Sequence, residues 1–421
     1  MQDEKSLAIN FCNLQQGAPG CDVAINKLGN IDLNLYERLQ MFVHAESKPD
    51  EIYQHGDISV YVKLGKDLNT NYYEYVMPLK TSEFGIQDTL NCWPDTNSID
   101  IPLKGFTDLK KARLLDGSIS ELADPLNEGA KFVMKGLPSL GYIKIIEIGV
   151  RNTSKENKPL CGQIWVNELR ASGLNENGAW AAQAKVQVKL ADLGDINVAG
   201  SYSSQGFGSV DQRLLERSRD EIYQYDVSTS LQLGKLLPKF LPLAVPFFAS
   251  YSKSVKKPQF DPYQRDLEVD ELLEVTPADQ RQAVIDRARE STTVTSYNFT
   301  NVKKEGGKGG KLWSVENLSA TYAFTKTLKT DPIIKEDLTT ERKVAIEYGY
   351  TNKPKYIQPL KSIKAKSLKL LSEFNFNLLP TSLGFNTNID RYENYRTFRL
   401  PQTPVFRFDD KRYKWERNYT L

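Results

Sequence analysis

Ala181-Ala182-Gln183-Ala184-Lys185-Val186-Gln187-Val188-Lys189-Leu190 decides the fold. One parity reads Ala182, Ala184, Val186, Val188, Leu190, and the other Ala181, Gln183, Lys185, Gln187, Lys189. A period of two predicts a strand with one face in an apolar setting and the other in water. After the turn Asp192-Leu193-Gly194-Asp195 the pattern resumes with Ile196, Val198, Gly200 and Tyr202 against Asn197, Ala199, Ser201 and Ser203. Tyr223, Tyr225, Val227, Thr229, Leu231 and Leu233 then alternate with Gln224, Asp226, Ser228, Ser230 and Gln232. Val344/Ile346/Tyr348/Tyr350, Phe374/Phe376/Leu378 and Leu383/Phe385/Thr387/Ile389 repeat it.

Runs of about ten residues match the length that crosses a bilayer as a tilted strand. Period two alone also describes a soluble sheet. Repetition, length and rings near strand ends (Tyr223, Tyr225, Phe247, Phe248, Tyr322, Phe324, Tyr392, Tyr395) favour a lipid boundary, where an aromatic ring keeps one end wet. On that reading Gln183, Lys185, Gln187, Lys189, Gln224, Asp226, Ser228 and Ser230 face a hydrated lumen. Ala184, Val186, Val188, Leu190, Tyr223, Tyr225, Val227 and Leu231 then face lipid.

Upstream, residues 1–172 read as a β-sandwich of jelly-roll type. Its expected strands are Ser6–Asn13, Arg38–His44, Ile58–Leu64, Tyr72–Leu79, Ile99–Leu103, Tyr142–Val150 and Gln163–Arg170, with Asn, Asp, Gly and Pro in the loops between them. The chain as a whole is therefore expected to be all-β. A sandwich over 1–172 precedes part of a large antiparallel transmembrane β-barrel over 178–421, with helical insertions near 209–220 and 266–290. Thr276-Pro277 supplies an N-cap and a first-turn proline for the second insertion, and Ser209-Val210-Asp211-Gln212 a capping box for the first. The acidic run Asp261–Asp270 reads as a solvated loop, and Lys303–Lys311 as a flexible basic hairpin loop.

Length and charge exclude much else. The 421 residues allow two to three domains, and 55 Lys and Arg against 53 Asp and Glu leave a net charge of +2, which asks for no nucleic acid. Leu241–Ala249, the longest apolar stretch, is broken by Pro242 and Pro246 and is too short for a membrane helix. Only His44 and His55 offer an imidazole, neither in a nucleophile motif, so no catalytic residue, metal ligand or cofactor is expected. Cys12, Cys21, Cys92 and Cys161 lack metal spacing; Cys12 with Cys21 would close a small loop, and four separate thiols would serve equally.

A series of motifs is more specific than the periodicity. Arg38–Glu46, Asn71–Tyr75, Ile148–Asn152, Gly162–Arg170, Gly178–Ala184 and Gly206–Ser209 occur in order, and within them Trp165, Asn167, Glu168, Leu169, Arg170, Trp180, Gly206 and Gly208 carry the likeness. The series resembles the SprA/Sov family of outer-membrane translocons of type IX secretion and gliding motility, and the similarity extends through essentially the whole chain. The resemblance implies a very large barrel at the bacterial outer membrane or cell surface that conducts folded cargo. Its partners would be secreted proteins, accessory outer-membrane barrel and plug proteins, and membrane lipid. This chain would be an internal fragment of such a barrel, without enzyme activity. Gln163–Arg170 also resembles the last strand of galactose-binding-like domains. The alternative is thus a soluble or surface-attached carbohydrate-binding sandwich, or a glycan-degrading enzyme with a carboxylate pair that converges only in space. Trp165 and Trp180 are expected to be core or interface anchors.

Overall fold

The computed structural model describes all residues except 1–4, 18–21, 50–52, 83, 86–91, 157, 307–310, 352–355, 360, 362–369, 371–372, 379 and 400–406. The chain is all-β, built from antiparallel sheets with short helical insertions. It divides into two compact units. The first holds residues 1–178, 208–219 and 258–284, and the second holds 179–207, 220–257 and 285–421.

The first unit contains β1 (Leu7–Leu14), β2 (Val23–Ile31), β3 (Tyr36–Ser47), β4 (Ile58–Gly65), β5 (Tyr72–Pro78), β6 (Ile99–Pro102), α1 (Lys104–Leu115), β7 (Glu121–Ala123), β8 (Lys131–Lys135), β9 (Ile143–Asn152) and β10 (Leu160–Leu174). One sheet runs β1-β10-β3-β6 and the other β2-β9-β4-β5-β8-β7. Alternate residues of both, among them Val43, Ile164, Val62 and Tyr75, are buried in a single apolar core, as sandwich strands require. β2, β7, β8 and α1 go beyond the sequence expectation. In α1, Phe106 and Leu109 are fully buried and Lys110 lies buried beside them, which hides the apolar stripe from a reading by residue type.

Cys12 is joined to Cys161 rather than to Cys21, which lies outside the described residues. β1 and β10 are paired neighbours, with Phe11 opposite Gly162, so the pairing of strands brings together cysteines far apart in sequence. Cys92 is a free thiol.

Two insertions differ from expectation. The stretch 209–220 holds a single 3-10 turn, Leu214–Glu216, in place of a helix, because Arg213 and Arg217 on either side are extended. The acidic run is no solvated loop: Asp261 and Asp266 are both buried. Asp261 Oδ1 accepts the N–H groups of Tyr263 and Gln264, closing a turn. Asp266 receives Lys110 Nζ at 2.5 Å and the Tyr73 hydroxyl. Helices α2 (Val269–Val275) and α3 (Ala278–Ala288) follow. The Thr276 hydroxyl donates to the Leu272 carbonyl at 2.6 Å and so closes α2.

The second unit is one sheet built from β11 (Ala181–Lys189), β12 (Gly194–Ser203), β13 (Asp220–Gln232), β14 (Leu243–Ala244), β15 (Pro246–Pro258), β16 (Glu290–Lys304), β17 (Leu318–Thr330), β18 (Ile334–Thr351), β19 (Ser382–Phe398) and β20 (Arg407–Thr420). Its order is β11-β12-β13-β15-β16-β17-β18-β19-β20, with β14 on β16. The expected Phe374/Phe376/Leu378 strand is reduced to one bridge between Phe376 and Ile357. Lys303 and Lys304 end β16, and residues 307–310 of the basic loop lie outside the described set.

Candidate functional site: a two-faced sheet

In the second unit, register carries the alternation of each strand across to its neighbours. Ala184, Val186 and Val188 of β11 stand opposite Gly200, Val198 and Ile196, and Tyr225, Val227 and Thr229 of β13 continue those rows. Tyr223 lies opposite Tyr202, whose ring packs against Trp180 at 4.4 Å and Tyr223 at 5.3 Å. Leu231 shares this face opposite Gly194, and half-buried Leu190 follows the end of β11.

Gln183, Lys185 and Gln187 take the other face opposite Ser201, Ala199 and Asn197, and Lys189 joins them opposite Asp195. Gln224, Asp226, Ser228 and Ser230 are opposite the same four β12 residues on the far side. All eight residues expected to be lumen-facing therefore share one face, away from those expected to meet lipid.

Both faces continue through β15 to β20. The apolar one presents Phe247, Ala249 and Tyr251, then Tyr297 and Phe299, Tyr322 and Phe324, Val344 and Ile346, Phe385 and Ile389, and Trp415 and Tyr419. It is uncovered: Val186 is 57% exposed, Tyr225 42% and Tyr419 70%. Contiguous exposed apolar surface on this scale marks a protein or membrane contact. Lys253 of β15, between Tyr251 and Val255, and Arg417 of β20 carry charge on this face, and the Arg417 guanidinium lies 4.3 Å from the Trp415 ring centre. The opposite face carries Ser250, Ser252, Ser296, Asn298, Thr325, Glu347, Asn386 and Asn418. Of the rings expected at strand ends, Phe248 and Tyr392 fall on this polar face, and Arg412 stacks on Tyr392 at 4.6 Å.

The apolar band slides along the strands. Backbone bonds from Leu233 to Val245 and from Gln259 to Arg219 set β15 against β13, which aligns Phe247 with Leu231. Register then carries that level through Phe299, Tyr322 and Val344 to Ile389. On β12 and β13 the band starts at Tyr202 and Tyr223, far above Leu231, whereas on β18 and β19 it starts at Val344 and Ile389. The displacement is about 27 Å along the strands over about 29 Å across them, so the band lies roughly 40° off the perpendicular to the strands. Strands crossing a bilayer at the usual barrel tilt generate that slope, because the apolar limits are then set by a plane oblique to the strands.

The motif residues of the first unit have structural places. Asn167, Glu168, Leu169 and Arg170 lie at a β-bulge where β10 shifts register against β3. Glu168 takes a φ of 53° there and pairs with Arg170 at 2.8 Å, and Arg170 caps the Phe42 ring at 5.5 Å. Trp165 packs on His44 at 4.6 Å, and Trp93 meets His44 edge-on. Burial pushes the His44 imidazole below its ordinary pKa. Trp180 is exposed beside Tyr202. Gly206 takes a φ of 78°, and a Cβ on Gly208 would lie 2.8 Å from Arg217 Cγ. Sequence reasoning missed Lys110, Tyr73 and Asp266, whose partnership has no local signature.

The family model SprA_N, described as motility related/secretion protein, matches residues 1–273. No curated protein matches the chain.

Proposed function

The chain belongs to the SprA_N family of motility related/secretion proteins, and from that premise we propose that it forms part of an outer-membrane protein-conducting β-barrel. The slanted, uncovered apolar band carries this reading, since a water-soluble sheet has no reason to place its apolar limits along an oblique plane. The band faces lipid, and the opposite face, rich in Ser, Thr, Asn and charge, lines a hydrated passage for secreted protein. No described helix is long and apolar enough to cross a membrane, so any crossing is made by strands. A disulfide in the sandwich fits an oxidising compartment such as the periplasm or cell surface. The resemblance to type IX translocons supplies the finer expectations: gliding motility, folded cargo, accessory barrel and plug partners, and no enzymatic step.

The test is alkaline-carbonate extraction of outer membranes from the source cells, followed by detection of a peptide from this chain. Retention in the pellet until detergent is added is expected. Release into the supernatant would mean that the band covers a water-soluble core, and would return the chain to the carbohydrate-binding reading.

A further inference from the structure

At the upper limit of the apolar band, four adjacent strands change character in one step. Phe324, Val344, Ile389 and Tyr413 are followed on the same face by Lys326, Arg342, Arg391 and Lys411. Register brings these together: Arg342 is opposite both Phe324 and Arg391, and Thr340 separates Lys326 from Glu393, which is opposite Lys411. Like charges facing each other across strands are unfavourable without something to bridge them. Glu393, buried at the centre, accepts Arg342 Nη1 at 3.0 Å and Arg391 Nη2 at 2.6 Å. One carboxylate balances one of the four cations, and the next carboxylate on this face, Asp409, is held by Arg407 at 2.8 Å. The remaining positive charge sits beside the Tyr413 and Tyr395 rings, with Lys411 Nζ 5.4 Å from the Tyr395 ring centre.

We propose that this cluster binds the phosphate of an anionic membrane lipid whose acyl chains lie along Phe324, Val344, Ile389 and Trp415. Guanidinium forks and ammonium groups at the edge of an apolar, ring-bordered band match such a headgroup, and Arg presents paired donors to phosphate oxygens. The inference rests on the lipid-facing reading of the band and adds the lipid class to it.

The experiment uses the full chain in a neutral detergent, offered phosphatidylglycerol or phosphatidylcholine of identical acyl chains, with retained lipid counted by native mass spectrometry. Phosphatidylglycerol retained about tenfold over phosphatidylcholine is expected. Lys326→Gln with Lys411→Gln, which leaves Glu393 its two arginines, should bring the two lipids near parity. Lys343→Gln with Lys414→Gln, on the polar face, should keep the preference. Equal retention by the unaltered chain, or full preference in the Lys326/Lys411 variant, overturns the proposal. Displacement of the lipid by millimolar inorganic phosphate would assign the cluster to a free anion and overturn it as well. Retention of neither lipid would instead overturn the lipid-facing reading itself.

Discussion

Lys110 Nζ stands 2.5 Å from Asp266 Oδ1, with both side chains buried and the Tyr73 hydroxyl on the second carboxylate oxygen. Lys110 also donates to the Pro138 carbonyl at 3.0 Å, so this ion pair is held within a hydrogen-bonded set. Asp266→Ala would leave a desolvated ammonium behind and should cost about 3–5 kcal/mol. Lys110→Met with Asp266→Leu and Tyr73→Phe, which removes the three polar side chains together and leaves the Pro138 carbonyl, should cost less than that single change. Urea unfolding of the variants measures both, and a triple variant less stable than Asp266→Ala would refute the account.

Val186, Val198 and Val227 form one row of the apolar band, and Gln187 points to the opposite face. Val186→Arg should cost about 2–4 kcal/mol if the row lies deep in hydrocarbon. Gln187→Arg should assemble normally. The readout is the carbonate-resistant fraction of each variant; equal fractions would remove the distinction between the faces.

The Cys12–Cys161 disulfide ties β1, an edge strand, to β10 across 149 residues of chain. Cys12→Ser with Cys161→Ser should lower stability by about 2–4 kcal/mol. Reductant should destabilise the unaltered chain alone. A double variant with the unaltered midpoint in urea would show that β1 is held by its ladder.

His44 links stability to pH. Unfolded, its imidazole titrates near 6.5, and burial lowers that value in the fold. Between the two values the unfolded chain holds a proton that the folded chain lacks. Stability is therefore lost as pH falls through 6.5 and levels off below the folded value. Urea midpoints at pH 7.5 and 5.5 should differ more for the unaltered chain than for His44→Gln. Equal differences would rule His44 out as the cause.

How much of this was legible in sequence depended on whether the signal was local. On β11 to β13 every second residue changes class, so strand, faces and partners could be read from Gln183, Val186, Tyr225 and Ser228 alone. β16 puts Ser and Thr on both sides of its first half, and β15 sets Lys253 between Tyr251 and Val255, which blurs the parity. Lys110 stands in the apolar stripe of α1, and Asp266 lies in a run of carboxylates that reads as water-loving. Nothing near either residue points to the other. The slant of the band exists only once ten strands have a register, and so does the row of cations that borders it.

The separation of Lys110 from Asp266, 156 residues, also sets an order in time. The first unit's core has its strands by β10, but the carboxylate that neutralises Lys110 follows five strands of the other sheet, β11 to β15. Until residue 266 leaves the ribosome, the ammonium has the Pro138 carbonyl but no carboxylate to meet in that core, and the Tyr73 hydroxyl lacks its Asp266 partner. An unmatched buried charge favours an open, unfinished sandwich. A precursor with its first unit unfinished would stay loose enough to thread through an export channel. It would close only after the first strands of the sheet have arrived, so maturation of the sandwich would report that β11 to β15 have been delivered.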